Sequence, residues 1–377
     1  MSRQTQRLSL MAPSPGTERM LITHCYGTPG QGPKVYIQAA LHADEWPGMM
    51  ALQHLIPLLD EADAKGEIVG EIILVPYANP IGLDQRIGAA ASGRYSFDGS
   101  GNFNRNWADL CAGAKPLLEG RLTGDVTQDT ALVRDAFRTV VADQAAETPV
   151  QELRKILMGL SCDADYVLDL HCDGEATVHL YANERHAETV NALALDLDCP
   201  VVLLESTAGG GPFDEANASP WWQLATELDG AAHLPNACFS CTVEFRGRQD
   251  VSDAFGAKDA AGLMSFLRRE GVVKGEPSPQ RGTTFSNPLQ ATDVVHAPGA
   301  GLISYCRDIG EEVEKGDVLA VLIDPTGVNA RIELKAGTTG IFFARADQRL
   351  VQPGDGVFKV AGSDILDYRK EGALLEA

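Results

Sequence analysis

The chain has 377 residues, 44% of them hydrophobic, and a formal net charge of −21. That length exceeds what one hydrophobic core usually sustains, so two domains are expected at ~150 residues each. The acidic balance argues against a nucleic-acid backbone or an anionic membrane as partner, because both repel it.

The N-terminal "MSRQTQRLSLMAPSPGTERM" lacks an apolar core of signal-peptide length, and no stretch of ~18 apolar residues follows it. A cytoplasmic protein is expected. Eight scattered cysteines in apolar surroundings fit buried thiols in a reducing compartment. The close pair Cys238 and Cys241, in "CFSC", has no second pair to complete a zinc site and reads as strand packing.

From about residue 20, strand and helix patterns alternate. "KVYIQAAL" (34–41) reads as a strand that runs into "HADEWPG". "PGMMALQHLIPLL" (47–59) then has helical periodicity, with Pro47 in the first turn. "EIILVPYANP" (71–80), "ADYVLDLHCDG" (164–174) and "CTVEF" (241–245) are further strands, and helices are predicted at 130–145 and 150–160. This alternation predicts an α/β fold, a mixed or parallel sheet flanked by helices, with ligands bound beyond the carboxyl ends of its strands. Two polar or glycine-rich loops are expected, at 91–107 and 206–220.

The stretch 273–288 reads as a linker, dividing a domain at 1–285 from a C-terminal all-β domain at 286–377. In the latter, 297–322 is echoed by 335–360, which predicts a small quasi-symmetric barrel resembling the biotinyl/lipoyl carrier fold. The hairpin tip "IDPTGVN" (323–329) has no lysine, and Lys335 comes too late in the repeat. The domain is therefore expected to shape the site and not to carry a prosthetic group.

Candidate chemistry collects at strand ends. His42 and Glu45 are one tight turn apart and His171 ends another strand, a donor set suited to a catalytic zinc with one open position. Asp44, Asp169 and Asp173 are candidates to orient the ligating rings. His54 reads as a helix-surface residue, and the other histidines have no partner spacing.

Taken in order, "LHADEWPG", "NPIGLDQR", "NFNRNW", "DLHCD" and "TVEFRG" resemble the succinylglutamate desuccinylase/aspartoacylase family of the zinc carboxypeptidase-like (M14) group. The resemblance covers roughly 34–247, and the C-terminal β domain also looks like that family's. It implies His42, Glu45 and His171 as ligands of one zinc ion and Glu244 as general base. It further implies Arg86 at the developing oxyanion, and Asn104 and Arg105 on a substrate carboxylate. Read without it, Glu244 would be an edge-strand carboxylate paired with Arg246.

Two departures stand out. Ala43 replaces the usual glycine, and "AAHLPNACFSCTVE" (231–244) lacks the arginine that aspartoacylases use for a second substrate carboxylate. The acidic loops containing Glu205, Asp214 and Glu215 are expected instead to meet a cationic side chain, as the resemblance to relatives that deacetylate acetyl-diaminobutyrate implies. The expected function is zinc-dependent hydrolysis of the amide of a small N-acyl amino acid. A carboxypeptidase acting on short peptides is the alternative, and a non-catalytic metal-stabilised binding module the third reading. A homo-oligomer is in keeping with a chain of this size.

Overall fold

A computed structural model describes residues 3–206, 209–280, 282–327 and 331–369. Nine strands form one sheet: β1 Gln4–Leu10, β2 Arg19–Gly27, β3 Lys34–Ala39, β4 Glu71–Val75, β5 Tyr166–Asp173, β6 His179–Asn183, β7 Val201–Glu205, β8 Phe239–Gly247 and β9 Phe285–Pro288. Their spatial order is β1-β2-β4-β3-β5-β8-β6-β7-β9. The middle pairings β4-β3-β5-β8 are parallel, β8-β6 is antiparallel, and β1-β2-β4 is an antiparallel extension. The predicted α/β layering with a mixed sheet is therefore present. The amino-terminal strands, β6 and β7 were not read from the sequence.

Side-chain alternation along these strands divides the interior in two. Val35, Ile37, Leu168, Leu170, Cys241, Val243 and Phe245 enter one core, closed by helices Pro47–Ala64, Ala187–Asp196 and Asp253–Arg269. Tyr36, Val167 and Cys238 enter the other, closed by Leu110–Leu118, Val126–Ala142, Pro149–Ser161 and Phe213–Glu227. Cys238 and Cys241 thus lie on opposite faces as free, buried thiols, so "CFSC" is packing.

Local sequence explains the helix starts. Thr148 and Gln151 form a capping box with Pro149 in the first turn, Asp125 accepts from Gln128 N, and Asn79 accepts from Gly82 N ahead of Pro80. The expected 206–220 loop is half right, since a helix begins at Phe213. Its first turn lacks a local cap. The missing acceptor comes from Asn104 Oδ1, which takes Phe213 N at 2.7 Å.

Beyond residue 288 the described chain holds strands and short 3-10 helices only. Gly301–Tyr305, Val318–Ile323, Arg331–Lys335 and Leu350–Val351 form a four-stranded sheet, and Ile303, Leu319, Leu322, Phe342, Phe358 and Val360 share a small core. A second sheet combines Thr292–His296, Gly340–Arg345 and Gly356–Gly362 with Glu175–Ala176, which follows β5 directly in the chain. The expected linker ends in β9, which pairs with β7 at the edge of the main sheet. Part of the hairpin tip read at 323–329 lies outside the described residues. Lys335 pairs with Glu333 at 3.1 Å.

β8 is a central strand, and the edge-strand reading of Glu244 paired with Arg246 is corrected. A register shift between Glu244 and Gly247, with Arg246 at φ +62°, turns Arg246 to the far side. There both guanidinium nitrogens donate to the Asp259 carboxylate, one of them at 3.0 Å, and the group lies over the Phe255 ring at 4.3 Å. Asp259 is 2% exposed. Replacing it with Ala leaves a buried guanidinium unpaired and is expected to destabilise the fold by about 3–5 kcal/mol, as measured by urea denaturation.

Candidate active site

Strand register brings several of the candidate residues together. His171 on β5 lies opposite Glu244 on β8, and Glu244 lies opposite His179 on β6. Laterally paired residues project to the same face, so these three form one row. A second row, Gln38, Asp169, Thr242 and Tyr181, runs alongside it. His42 and Glu45 reach this face from the turn after β3, where Ala40 adopts φ +55°. Ala43, in place of the usual glycine, is not among the positive-φ residues.

Glu45 bridges the two histidines. Its Oε1 lies 3.1 Å from His42 Nδ1 and its Oε2 lies 2.7 Å from His171 Nδ1. The far ring nitrogens face polar groups as well. His42 Nε2 donates to Asn102 Oδ1 at 2.9 Å, and His171 Nε2 stands 2.8 Å from Asp169 Oδ2. Asp169 is fixed in turn by Gln38 Nε2 at 2.9 Å, and Gln38 accepts from Tyr36 Oη at 2.7 Å. All three residues are 3–4% exposed, so the two rings and the carboxylate meet in a nearly dry site.

A buried cluster of donors aimed at one another fits a metal cation. One ligand atom from each of His42, Glu45 and His171 lies within 4.8 Å of the others. Electrostatics agree with that fit. Burial opposes a charged His171 ring, yet Asp169 and Glu45 lift it well above the usual histidine range. Burial likewise opposes ionised Glu45, yet His42 and His171 hold it well below the carboxylate range. The carboxylate is thus held ionised by positive charge from the rings, a charge that a bound metal cation would supply instead.

The cleft around this cluster encloses about 400 Å³. Glu244 lines it, with Oε2 buried and without a hydrogen-bond partner. Burial and the neighbouring Glu45 push its carboxyl up to about 8. Arg105 and Asn104 also line the cleft, but Asn104 Oδ1 is committed to Phe213 N and to Trp107 Nε1 at 3.2 Å.

Arg86 is not brought to this place. It lies exposed on the two-residue strand Arg86–Ile87, its Nη1 3.4 Å from Ala89 O, and it is absent from the cleft wall. Arg94 stands there, with Nη1 3.3 Å from His42 Nδ1 and 3.8 Å from Glu45 Oε1. The sequence reading missed it, although it belongs to the 91–107 loop that had been singled out. Gly93 explains its placement. A Cβ there would meet Asp44 N at 2.3 Å, so only glycine lets this loop lie against the His42 turn. Asn102 was missed too, two residues before the expected Asn104.

Of the aspartates expected to orient ligands, Asp169 stands beside a ring, its Oδ2 2.8 Å from His171 Nε2. Asp44 instead faces Arg248 at 3.7 Å, and Asp173 pairs with Lys359 at 2.6 Å. Of the histidines set aside, His54 faces Asp253 at 3.1 Å on the far side, while His179 is fully buried beside the cleft wall.

Asp214 is buried in the cleft wall with Oδ1 unpartnered. Burial and Asp169 raise it to about 7, and burial with Asp214 raises Glu205 to about 9. A carboxyl that stays protonated in the fold but ionises at ~4.3 when unfolded costs increasing stability as pH rises between those values. Glu205→Gln removes this cost. The variant is expected to gain stability over wild type between pH 5 and pH 8, on the order of 2–4 kcal/mol, in urea denaturation at the two pH values.

Known proteins share this frame. The Succinylglutamate desuccinylase/Aspartoacylase catalytic domain matches residues 31–269. A curated relative, the N-alpha-acetyl-L-2,4-diaminobutyric acid deacetylase of Halomonas elongata, is 26% identical over 347 residues, covering 88% of this chain and 83% of its own. A crystal structure from Shewanella frigidimarina assigned to succinylglutamate desuccinylase/aspartoacylase superimposes with TM-score 0.85 at 24% identity, over 96% of this chain and 97% of its own. The product-bound Ectoine utilization protein EutE (DoeB) of Ruegeria pomeroyi shares the fold with TM-score 0.66 at 21% identity, over 96% and 95%. The chain therefore belongs to the succinylglutamate desuccinylase/aspartoacylase family, a family of hydrolases that cleave N-acyl amino acid amides.

Proposed function

We propose that this protein is a zinc-dependent deacylase that hydrolyses the amide of a small N-acyl amino acid to a carboxylate and a free amine. The observation that carries the reading is the position of Glu244. A general base must stand beside the activated water, and Glu244 lies in register with ligand residue His171 with a carboxylate oxygen left unpartnered.

His42, Glu45 and His171 would hold the metal. When bound, zinc supplies Lewis acidity that brings water's pKa toward ~7 and polarises the scissile carbonyl. Glu244 takes the proton released as water attacks. The same carboxyl then hands that proton to the departing amine. The C–N bond breaks as the nitrogen is protonated, so atoms and charge balance. Arg94, beside His42 and Glu45, takes the oxyanion role in place of Arg86. Arg105 suits the amino acid carboxylate, because its planar fork bonds both oxygens.

The side chain of the amino acid is read as cationic. The segment before Glu244 offers no arginine for a second carboxylate, whereas Asp214 lines the cleft with a carboxyl. The curated relative acts on a diaminobutyric acid derivative, in keeping with such a substrate. We read the chain as a catalytic domain at 1–285 with a barrel-like C-terminal domain at 286–377. The latter contributes Leu289, Thr292, Val294 and Lys359 to the cleft wall, which favours small substrates over the peptides a carboxypeptidase takes.

Elemental analysis is expected to give one zinc per chain, and a ninhydrin screen of acetyl-, succinyl- and formyl-amino acids to find turnover of a basic amino acid derivative. A protein without stoichiometric metal, or one active on dipeptides alone, would sink the proposal. Glu244→Gln is expected to keep the metal and lose about 10²–10⁴-fold in kcat. Arg94→Met is expected to lose about 10²–10³-fold, while Arg86→Met stays within about twofold of wild type. Steady-state kinetics on the two arginine variants decides which one serves the reaction.

A further inference from the structure

The segment directly after His171 is held by the C-terminal sheets. Asp173 Oδ2 accepts from Lys359 Nζ at 2.6 Å, and Glu175 accepts from Arg345 Nε at 2.6 Å and Arg349 Nη2 at 2.5 Å. Glu175–Ala176 pairs in register with Arg345 and Ala344. Gly174 lets the two backbones meet, because a Cβ there would lie 3.0 Å from Arg345 O and Asp347 N.

Among these contacts Lys359 is unusual. Its strand, "GVFKVAG" (Gly356–Gly362), sends Val357, Phe358 and Val360 into the C-terminal core past a register irregularity, while Lys359 reaches Asp173 of the main sheet. There it lines the same cleft as His42, Glu45 and Glu244. A half-buried lysine in an otherwise apolar strand, aimed at one carboxylate, is not accounted for by packing alone. Its partner Asp173 is two residues beyond His171 and stands 4.0 Å from Nε2 of buried His179, the third member of the row containing His171 and Glu244.

We propose that Lys359 is a positioning residue of the catalytic cleft, whose ion pair with Asp173 pins the end of the strand that carries His171. The C-terminal sheets then form part of the catalytic apparatus as well as its wall. The inference rests on the reading of the site as a zinc hydrolase. Its test includes a measurement that needs no substrate, so the two can fail separately.

Wild type, Lys359→Met, Lys359→Arg, Asp173→Asn and the Lys359→Met/Asp173→Asn double variant are reconstituted with zinc. Zinc release to a chromophoric chelator, thermal unfolding, and kcat and KM on the best substrate from the screen are then measured. Lys359→Met is expected to release zinc about 10-fold faster and to lose about 10-fold in kcat, with KM changed less than about threefold. Lys359→Arg is expected to restore most of both, and the double variant to be no worse than either single one, as for residues acting as one pair. Zinc release in Lys359→Met within about twofold of wild type overturns the proposal. So does Lys359→Arg as impaired as Lys359→Met, or a fall of more than about 10 °C in the unfolding midpoint together with metal loss, which assigns a structural role only. If wild type turns over no acyl amino acid while the release results are as expected, the functional reading falls and the positioning role stands.

Discussion

Both carboxylate oxygens of Glu45 are committed to imidazole nitrogens, at 3.1 Å and 2.7 Å, in a site almost sealed from solvent. Much of the surrounding structure serves that arrangement. Asn102 and Asp169 face the outer nitrogens of the two rings, and Gln38 and Tyr36 fix Asp169. Gly93 lets the loop carrying Arg94 lie against the His42 turn. A cluster of one carboxylate and two imidazoles buried this deeply needs positive charge beside it, which Arg94 and the rings supply and a bound cation could supply in turn.

The second constraint is the joining of the two parts of the chain. β9 completes the edge of the main sheet, while Glu175–Ala176 adds to a C-terminal sheet. Each part thus lends a strand to the other. Ion pairs at Asp173 and Glu175 tie this exchange to the strand bearing His171, so the cleft lies at a seam that neither part closes alone. Asp214 lines the cleft as well, and burial raises both its carboxyl and that of Glu205 above the usual carboxylate range.

Much of the site was legible in the sequence because its signals are local. His42 and Glu45 share one turn, His171 ends an apolar strand, and Glu244 sits in a β-branched run that could only be a strand. The 206–220 stretch misled, because its glycines and prolines look like a loop whereas the helix at Phe213 is capped from a distance by Asn104. Arg86 misled for a related reason. It follows a well-formed turn and looked placed, but its short strand faces solvent, while Arg94 is drawn in by a glycine contact about 50 residues away from it in the chain. The missed strands β6 and β7 are short runs whose register is set by neighbours, which no single stretch can reveal.

By itself the sequence determined the α/β alternation, the all-β character of the C-terminal region and the identity of three metal-ligand candidates. These follow from side-chain period and from donor chemistry at strand ends, both of which are written within a few consecutive residues. Tertiary structure decided which arginine reaches the cleft, which aspartate faces a ring, and that Lys359 from the last long strand stands beside Asp173. Those choices depend on the register between strands far apart in the chain and on close backbone approaches at Gly93 and Gly174. Such geometry exists only once the sheets have paired.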